Sequence, residues 1–561
     1  MTPPGGRAGC GVGSLAGTRL LAPLLLAAAG AAQTGALVQT QAWPVPLLAI
    51  ALLAGAVARA TPGRAALLGW AFGCGWLGAA SWWLYISLHR YGRLPAPLAV
   101  VAVALLSAAL SLYLAAVMAW VAHRRSGRPV PDAGRFAAAW LAAELARGVF
   151  FTGFPWGATG YTQLDGPLAL LLPWVGVYAL GALVAGLAWW LACAVPLPGS
   201  RSGLAYGQGP GPGPGPGPGQ ALWALAGVAV VLGLPVAWGA WRGVPDFTQP
   251  AGSLSVALLQ TNVAQDEKFA AEHLPASLAW VSQALLAAQA DLVIAPETAV
   301  PLLPDQLDEL VPGYWAALRR HFGRADGPAA LVGVPLGSFT EGYSNSVVAL
   351  AAGQTDQAAY RYDKYHLVPF GEFIPTGFRW FTELMNIPLG DFRRGPLSAP
   401  SFALRGQRVA PNICYEDLFG EELAVRFADP ASAPTILANV SNIGWFGNSA
   451  ALPQHLNISR VRSLELQRPM LRATNTGATA VIDHRGVVTA ALPPFTRGVL
   501  VATVQGRQGL TPFARWSAAA GLWPLWALAL LGLAWPAGRG LHGRVPGRVP
   551  GRAPGRAHGR R

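Results

Sequence analysis

The sequence of 561 residues is short of charge. Asp, Glu, Lys and Arg make up 12% of it, whereas hydrophobic residues make up 53%, and 22 residues are tryptophan. This composition is too apolar for a soluble globular protein of that length. The chain is therefore expected to lie in a membrane.

Cysteine is also scarce. The four cysteines, at positions 10, 74, 193 and 414, are too few and too scattered for a disulfide framework or a CxxC metal site. Cys414 is the only one between Pro245 and Arg515. The extramembrane part of the chain therefore carries a lone thiol and no internal disulfide, and no structural metal is indicated.

Lysine is almost absent, because only Lys268 and Lys364 occur among 40 basic residues. A lysine kept against such a bias marks a position that needs a compact ammonium. We expect this of Lys364 and expect Lys268→Arg to be tolerated. The formal charge of +14 includes seven arginines of the repetitive tail after Gly538, so nucleic acid is a poor candidate partner. That tail suits anionic lipid headgroups, although a tail without function fits equally well.

Long uncharged runs predict membrane-spanning helices, which need about 20 apolar residues each. Residues 20–58 are long enough for a hairpin of two helices, and residues 136–151 contain Glu144 and Arg147, which share a helix face and could pair there. The eight predicted spans lie within residues 20–58, 65–88, 94–122, 136–151, 166–200, 220–241 and 516–538.

Arginines near the spans predict the orientation of the chain. They concentrate in loops 59–64 and 123–135, in the loop with Arg201 and in the tail, which places both termini in the cytoplasm. The expected domains are a membrane domain with seven helices (1–245), an extramembrane domain on the outer side (250–508), an eighth helix (514–538) and a flexible basic tail (539–561). The Gly-Pro run at 209–219 is read as a linker.

Charges and short β-rich runs appear from about residue 252 to residue 505. Strands are predicted at 254–260, 292–295, 330–334, 346–350, 408–413, 435–438 and 479–482, and helices at 270–290, 305–320 and 455–467. This alternation predicts one layered α/β domain with its sites at strand ends.

Three segments place a reactive group just after a probable strand. They give Glu297 in APETAVP, Lys364 and Glu372 in DKYHLVPFGEFIP, and Cys414 in NICYEDLF. Taken singly, each of these residues could equally be a helix cap, a surface charge or a buried structural thiol. Together they supply a general base, an oxyanion-stabilising cation and a nucleophile for covalent acyl transfer, and a helix start after the thiol would favour the thiolate.

Two histidines near these segments are assigned lesser roles. His366 follows Lys364 by two residues and is expected to shape the site. His455 opens a predicted helix and is expected to be a cap or core residue.

The order of the Glu, Lys and Cys segments resembles the carbon–nitrogen hydrolase (nitrilase) superfamily, whose fold is a four-layer αββα sandwich. Nearly the whole chain resembles the bacterial apolipoprotein N-acyltransferase family, including RGVFFTGFPWGATGYTQLDGPL, SNIGWFG and QHLNISRVRSLELQRPMLRATNTGATAVI. The resemblance implies a triad of Glu297 as base, Lys364 as oxyanion stabiliser and Cys414 as nucleophile.

The same resemblance implies further site residues. Glu372 would be a second carboxylate near the triad, and Tyr415 and Glu416 would lie beside the nucleophile. The family often carries a tryptophan where this chain has Phe269, which makes the lipid contact at that position an open question.

The implied activity is transfer of a fatty acyl chain from a phospholipid, such as phosphatidylethanolamine, to the N-terminal amine of a diacylglyceryl-cysteine apolipoprotein at a bacterial inner membrane. The catalytic domain would be periplasmic, and no cofactor or metal is implied. One alternative is a membrane-tethered amidase that passes the acyl group to water. A transporter with an inactive nitrilase-like domain is disfavoured, because the spans hold few charges.

Overall fold

The computed structural model describes residues 13–194, 218–354, 359–375, 377–379 and 392–536. Cys10, the loop with Arg201, most of the Gly-Pro run and the basic tail lie outside these residues. Among the described residues, the helices are α1 (Gly13–Gln33), α2 (Pro44–Val57), α3 (Pro62–Ser81), α4 (Leu84–Ile86), α5 (Ala96–Arg124), α6 (Pro129–Val149), α7 (Leu172–Ala194), α8 (Pro218–Arg242), α9 (Leu274–Ala287), α10 (Pro304–Leu310), α11 (Tyr314–Phe322), α12 (Gly420–Ala424), α13 (Ala451–Leu466), α14 (Pro512–Ala520) and α15 (Trp523–Ala534).

The apolar helices support the prediction of a membrane part, although they do not establish eight spans. By length and composition, four described segments can cross a membrane: Leu20–Leu37, Thr40–Val57, Ala96–Arg124 and Pro167–Cys193. Helix α6 carries Asp132, Arg135, Glu144 and Arg147 along its 21 residues, and all four are buried. Its charged groups are buried in protein, as the charges of a helix inside a bilayer would have to be.

The last predicted span is not one straight helix. Helices α14 and α15 are bent by 87° at the break between them. Gly521 has a φ of 54° at this break, and Pro524 stands in the first turn of α15. Both features stop the continuous helix that the uncharged run at 516–538 predicts.

The extramembrane part contains twelve described strands in two six-stranded sheets. The strands are β1 (Gln249–Gln260), β2 (Leu292–Ile294), β3 (Ala329–Ser338), β4 (Gly342–Leu350), β5 (Arg361–Asp363), β6 (Phe402–Leu404), β7 (Gln407–Ile413), β8 (Ile436–Ser441), β9 (Met470–Thr474), β10 (Ala480–Ile482), β11 (Val488–Ala491) and β12 (Gly498–Gln508). Their orders are β12-β1-β2-β3-β4-β5 and β11-β10-β9-β8-β7-β6. Each sheet has a parallel centre, β1-β2-β3 or β7-β8-β9, flanked by antiparallel strands.

The two sheets pack face to face and carry helices on their outer faces. Val256 and Ile294 of the first sheet share an apolar cluster with Val409 and Ile436 of the second. The other face of the first sheet packs against α9 and α11, and the other face of the second packs against α12 and α14. This arrangement is the four-layer αββα sandwich, so the predicted fold class is confirmed.

Helix α13 belongs to the catalytic part and also packs against the membrane helices. Val461 of α13 and Phe419 after Cys414 share an apolar cluster with Trp140 of α6 and Trp189 of α7. The end of the sandwich that carries Cys414 is therefore the end in contact with the membrane part.

Candidate active site

Cys414 lies at the end of β7, where the chain turns into a short 3-10 helix, Cys414–Leu418. Its φ is 53°, a left-handed conformation that non-glycine residues rarely adopt outside functional sites. Strand β8 runs parallel beside β7, and its last residue, Ser441, donates its hydroxyl to Cys414 Sγ at 3.3 Å. The thiol thus faces the carboxyl ends of neighbouring strands, the edge where α/β sheets commonly hold their sites.

Glu297 reaches the same edge from the other sheet. It follows β2 by three residues, and its Oε2 accepts a hydrogen bond from the backbone N–H of Asn442 at 2.7 Å. Since Asn442 follows Ser441 directly, one short segment contacts both the Glu297 carboxylate and the Cys414 thiol. The structure therefore brings the predicted base and the predicted nucleophile together.

Lys364 is fully buried directly after β5, and its Nζ lies between two carboxylates. The distances are 2.9 Å to Glu372 and 3.6 Å to Glu297 Oε1. Burial alone would lower the pKa of this lysine, but Glu372 and Glu297 outweigh it and hold the pKa above its ordinary value. Its charged form is therefore favoured, which suits the predicted role of oxyanion stabiliser.

The Cys414 thiol is neutral in this environment. Burial raises the pKa of the thiol to about 12, the negative charge of Glu297 adds to the rise, and Lys364 and the Ser441 hydroxyl oppose it. The thiolate expected from a helix start is therefore not the resting form, because desolvation and a nearby carboxylate outweigh the short 3-10 turn. Glu297 lies close enough to the thiol to influence its pKa, as the predicted role of general base requires.

Glu372 and Asn345 complete the charged centre. Asn345 donates from one Nδ2 to Glu297 Oε1 at 2.7 Å and to Glu372 Oε1 at 2.8 Å, while the backbone N–H of Val368 donates to Glu372 Oε2 at 2.8 Å. These donors fix both carboxylates around the ammonium. Sequence reasoning missed Asn345, which lies inside β4, because a polar residue within a strand carries no sign of what its side chain will meet.

Glu416 and Tyr415 follow Cys414 directly and connect it to neighbouring segments. Glu416 accepts hydrogen bonds from the backbone N–H of Ile413, from the Tyr362 hydroxyl and from the backbone of the two residues that follow Lys364. Burial raises the pKa of Glu416. Its carboxylate joins the Lys364 loop to the Cys414 turn. The Tyr415 hydroxyl donates to the Gly153 carbonyl in the membrane part at 3.1 Å.

Lys268 contacts the segment that carries Glu297. It is buried, and its Nζ donates to the Glu297 carbonyl oxygen at 3.0 Å and to the Thr298 hydroxyl. Burial lowers its pKa to about 8. Tolerance of Lys268→Arg stays a prediction, and the burial and the two hydrogen bonds of the ammonium argue against it. The lysine bias was the signal that could have revealed this residue. Phe269, the next residue, is 56% exposed.

His366 packs between the loop after α6 and the segment that follows Cys414. Its Nε2 donates to the Thr152 carbonyl at 2.9 Å, its Nδ1 lies 2.9 Å from Glu422, and its ring stacks on Phe419. Burial lowers the pKa of His366 to about 4 and raises the pKa of Glu422 to about 8, so it disfavours the charged form of both groups.

Helix α6 also contains buried charges, and they contact the loop that follows it. Glu144 Oε1 accepts from the backbone and the hydroxyl of Thr159, both at 2.8 Å. Arg147 donates to the carbonyls of Phe154 and Trp156. The two charges share a helix face, as predicted, but they bind the following loop rather than each other.

Comparisons with known proteins agree with this architecture. Residues 29–190 match the family model for the apolipoprotein N-acyltransferase N-terminal domain, and residues 255–512 match the carbon-nitrogen hydrolase model. The apolipoprotein N-acyltransferase of Verminephrobacter eiseniae is 50% identical over 494 residues, which cover 86% of this chain and 89% of that protein.

Other relatives extend the comparison. The apolipoprotein N-acyltransferase of Ralstonia nicotianae is 46% identical over 508 residues, covering 89% of this chain and 91% of that protein. A solved carbon-nitrogen hydrolase from Helicobacter pylori aligns with a TM-score of 0.33 and 16% identity, over 49% of this chain and 95% of that chain. On the sequence relatives and the two family models, the chain belongs to the apolipoprotein N-acyltransferase family.

Proposed function

We propose that this membrane protein transfers a fatty acyl chain from a phospholipid to the N-terminal amine of a diacylglyceryl-cysteine apolipoprotein, through a thioester on Cys414. The observation that carries the proposal is the shared contact at Ser441 and Asn442. These neighbours hold the Cys414 thiol at 3.3 Å and the Glu297 carboxylate at 2.7 Å. Membership of the acyltransferase family supports the reaction class.

In the first half-reaction, Glu297 takes the proton of the Cys414 thiol as Sγ attacks the ester carbonyl of the phospholipid. The neutral thiol makes this general-base step necessary. The buried Lys364 ammonium stabilises the oxyanion of the tetrahedral intermediate. When the intermediate collapses, the lysophospholipid oxygen takes the proton from Glu297, and the acyl group remains on sulfur.

In the second half-reaction, the lipoprotein amine attacks the thioester carbonyl. Glu297 accepts a proton from the attacking nitrogen, Lys364 again stabilises the oxyanion, and the C–S bond breaks. Cys414 leaves as a thiolate that recovers its proton from Glu297. The product is an amide, and the enzyme returns to its starting state with all protons accounted for.

The placement of the site supports a lipid donor. Cys414 lies at the end of the sandwich that packs on the membrane helices, and the Tyr415 hydroxyl donates to the Gly153 carbonyl of the membrane part. Phe151 of the same turn is 91% exposed and Phe150 is 53% exposed. We assign these apolar side chains to contact with acyl chains at the bilayer interface.

The proposal includes an orientation in the bacterial cytoplasmic membrane. Residues 1–245 and 514–538 form the membrane domain, residues 250–508 form the catalytic domain on the periplasmic side, and both termini are cytoplasmic. The distribution of arginines in the short loops supports this orientation.

A substrate-order experiment tests the function. Purified protein given phospholipid alone should release about one equivalent of lysophospholipid per active site and then nearly stop. A peptide with an N-terminal diacylglyceryl-cysteine should restart turnover with parallel lines in double-reciprocal plots. The matched control is the same peptide with its amine acetylated, which should not restart it. Steady release of free fatty acid at an equal rate without acceptor would identify a hydrolase and reject the transferase.

A further inference from the structure

We propose that His455 is a positioning residue, which holds the backbone of the nucleophile from behind and is itself held by a tryptophan of the membrane part. The inference rests on the proposed function in one respect, the identity of Cys414 as the nucleophile. It adds that contacts from the membrane part, passed on through His455, help to set the direction of the Cys414 thiol.

The Cys414 backbone needs such support because its φ of 53° is unfavourable for a side chain with a Cβ. Two buried side chains donate to its carbonyl oxygen: His455 Nε2 at 3.1 Å and Asn439 Nδ2 at 3.2 Å. A carbonyl held from two directions fixes the peptide plane that follows Cys414. The direction of the Cα–Cβ bond, and hence the position of Sγ, depends on that plane.

The environment of His455 fixes which ring nitrogen carries the proton. Arg472 Nη2 lies 2.9 Å from His455 Nδ1, and a guanidinium can only donate, so Nδ1 is an acceptor. The ring proton is therefore on Nε2, where the Cys414 carbonyl at 3.1 Å and a carboxylate oxygen of Asp417 are its two acceptors. Asp417 lies beside both groups, with Oδ1 at 2.9 Å from Nε2 and Oδ2 at 3.2 Å from Arg472 Nη1. All three side chains are buried.

The membrane part completes the arrangement. The Trp156 ring stacks on the His455 ring with centroids 5.8 Å apart and planes 11° from parallel. Trp156 Nε1 also donates to Gln454 Oε1 at 2.8 Å, and Trp83 Nε1 donates to the same oxygen at 3.1 Å. Two tryptophans from outside the sandwich therefore hold the first turn of α13, from which His455 reaches the nucleophile.

A pair of substitutions separates positioning from mere packing. His455→Gln keeps an N–H at about the reach of Nε2 and so can still donate to the Cys414 carbonyl. His455→Asn is shorter, can still accept from Arg472 at the place of Nδ1, and lacks the donor toward Cys414. Both substitutions remove the ring and its stacking on Trp156.

Two rates are measured on the full-length protein in detergent, together with the melting temperature. One is single-turnover acylation of Cys414 by phosphatidylethanolamine, and the other is alkylation of Cys414 by iodoacetamide as a function of pH, quantified by peptide mass spectrometry. We expect acylation within about threefold of the parent for His455→Gln and a fall of roughly 10- to 100-fold for His455→Asn. The alkylation profile should shift along the pH axis only for His455→Asn.

Equal rates and equal pH profiles for the two variants would overturn the proposal, whatever their melting temperatures. If His455→Asn does not fold, Trp156→Leu replaces it and Trp156→Phe is its control. The pH profile of Cys414 alkylation should then shift for Trp156→Leu, which loses the aromatic ring, and not for Trp156→Phe. A parent protein that shows no acylation of Cys414 would reject the proposed function, whereas the alkylation profiles would still decide the role of His455.

Discussion

Lys364 is enclosed by protein on all sides, with 0% of its surface exposed, and its ammonium lies within 3.6 Å of two carboxylates. A guanidinium is larger and flat and cannot place one point charge at the same spot. Lys364→Arg should therefore fail almost as badly as Lys364→Ala, with acyl transfer lowered by about 10²–10³.

Initial rates of lipopeptide acylation measure this effect. The control is Arg320→Lys, an exchange of the same two residue types at an exposed position of α11, which should leave the rate unchanged. Full activity of Lys364→Arg would show that any positive charge suffices at this position and would contradict the requirement for a compact ammonium.

The protonation state of Cys414 gives a second prediction at the scale of single residues. Burial raises the pKa of its thiol to about 12, so the neutral form predominates at pH 7 and the thiolate fraction grows as the pH rises. Iodoacetamide should therefore alkylate Cys414 about tenfold faster for each pH unit between 7 and 10. A small free thiol in the same solution should reach its plateau near its own, lower pKa. A plateau for Cys414 below pH 8 would indicate a preformed thiolate and remove the need for a base.

The turn after α6 is the element that joins the membrane part to the site. Phe151, Thr152 and Gly153 all have positive φ, and the carbonyls of Thr152 and Gly153 accept from His366 and Tyr415. A Cβ on Gly153 would collide with the Gly148 carbonyl. Gly153→Ala should lower stability by about 1–3 kcal/mol and reduce acyl transfer.

Gly134→Ala is the matched control. Gly134 lies in α6, the helix before the turn, and a Cβ added there would meet no other atom within 4 Å. The substitution should be neutral or slightly stabilising, since alanine favours helix by about 1 kcal/mol over glycine. Thermal unfolding in detergent and initial rates check both variants. Equal behaviour of the two would show that the turn has no special backbone requirement.

The strands that precede Glu297 and Cys414 were predictable because their signals are local. Strand β2 is a fully apolar run that ends before Glu297, and β7 ends before Cys414. The predicted helix at 305–320 is instead two helices, α10 and α11, separated by Pro312 and a left-handed Gly313. The helical spacing of hydrophobic residues continues across this point, but proline and glycine end the first helix there.

Contacts made at a distance along the chain were not predictable. Strand β5 has only three residues and is defined by its pairing with β4. Asn345, Asn442 and Lys268 reach Glu297 from three separate segments, so their roles exist only after folding. Asparagine is common in strands and loops and indicates no site by itself, whereas the rarity of lysine in this chain does single out Lys268.

At the scale of the whole molecule, orientation can be tested with single cysteines in a background where all four natural cysteines are replaced. Asp429 of the catalytic part and Arg128 of the loop before α6 are both exposed. In cells with a permeabilised outer membrane, a membrane-impermeant maleimide should label Asp429→Cys and not Arg128→Cys. Lysis should make both accessible. Labelling of Arg128→Cys in intact cells would reverse the proposed orientation.

The central claim is that the acyl group passes through Cys414. The most direct measurement is peptide mass spectrometry of the full-length protein after incubation with phosphatidylethanolamine and without acceptor. We predict a fatty acyl mass on the peptide that contains Cys414, removed by neutral hydroxylamine, lost on addition of the diacylglyceryl-cysteine peptide and absent from Cys414→Ala. An acyl adduct on another residue, or acyl transfer to the peptide by Cys414→Ala, would contradict the account.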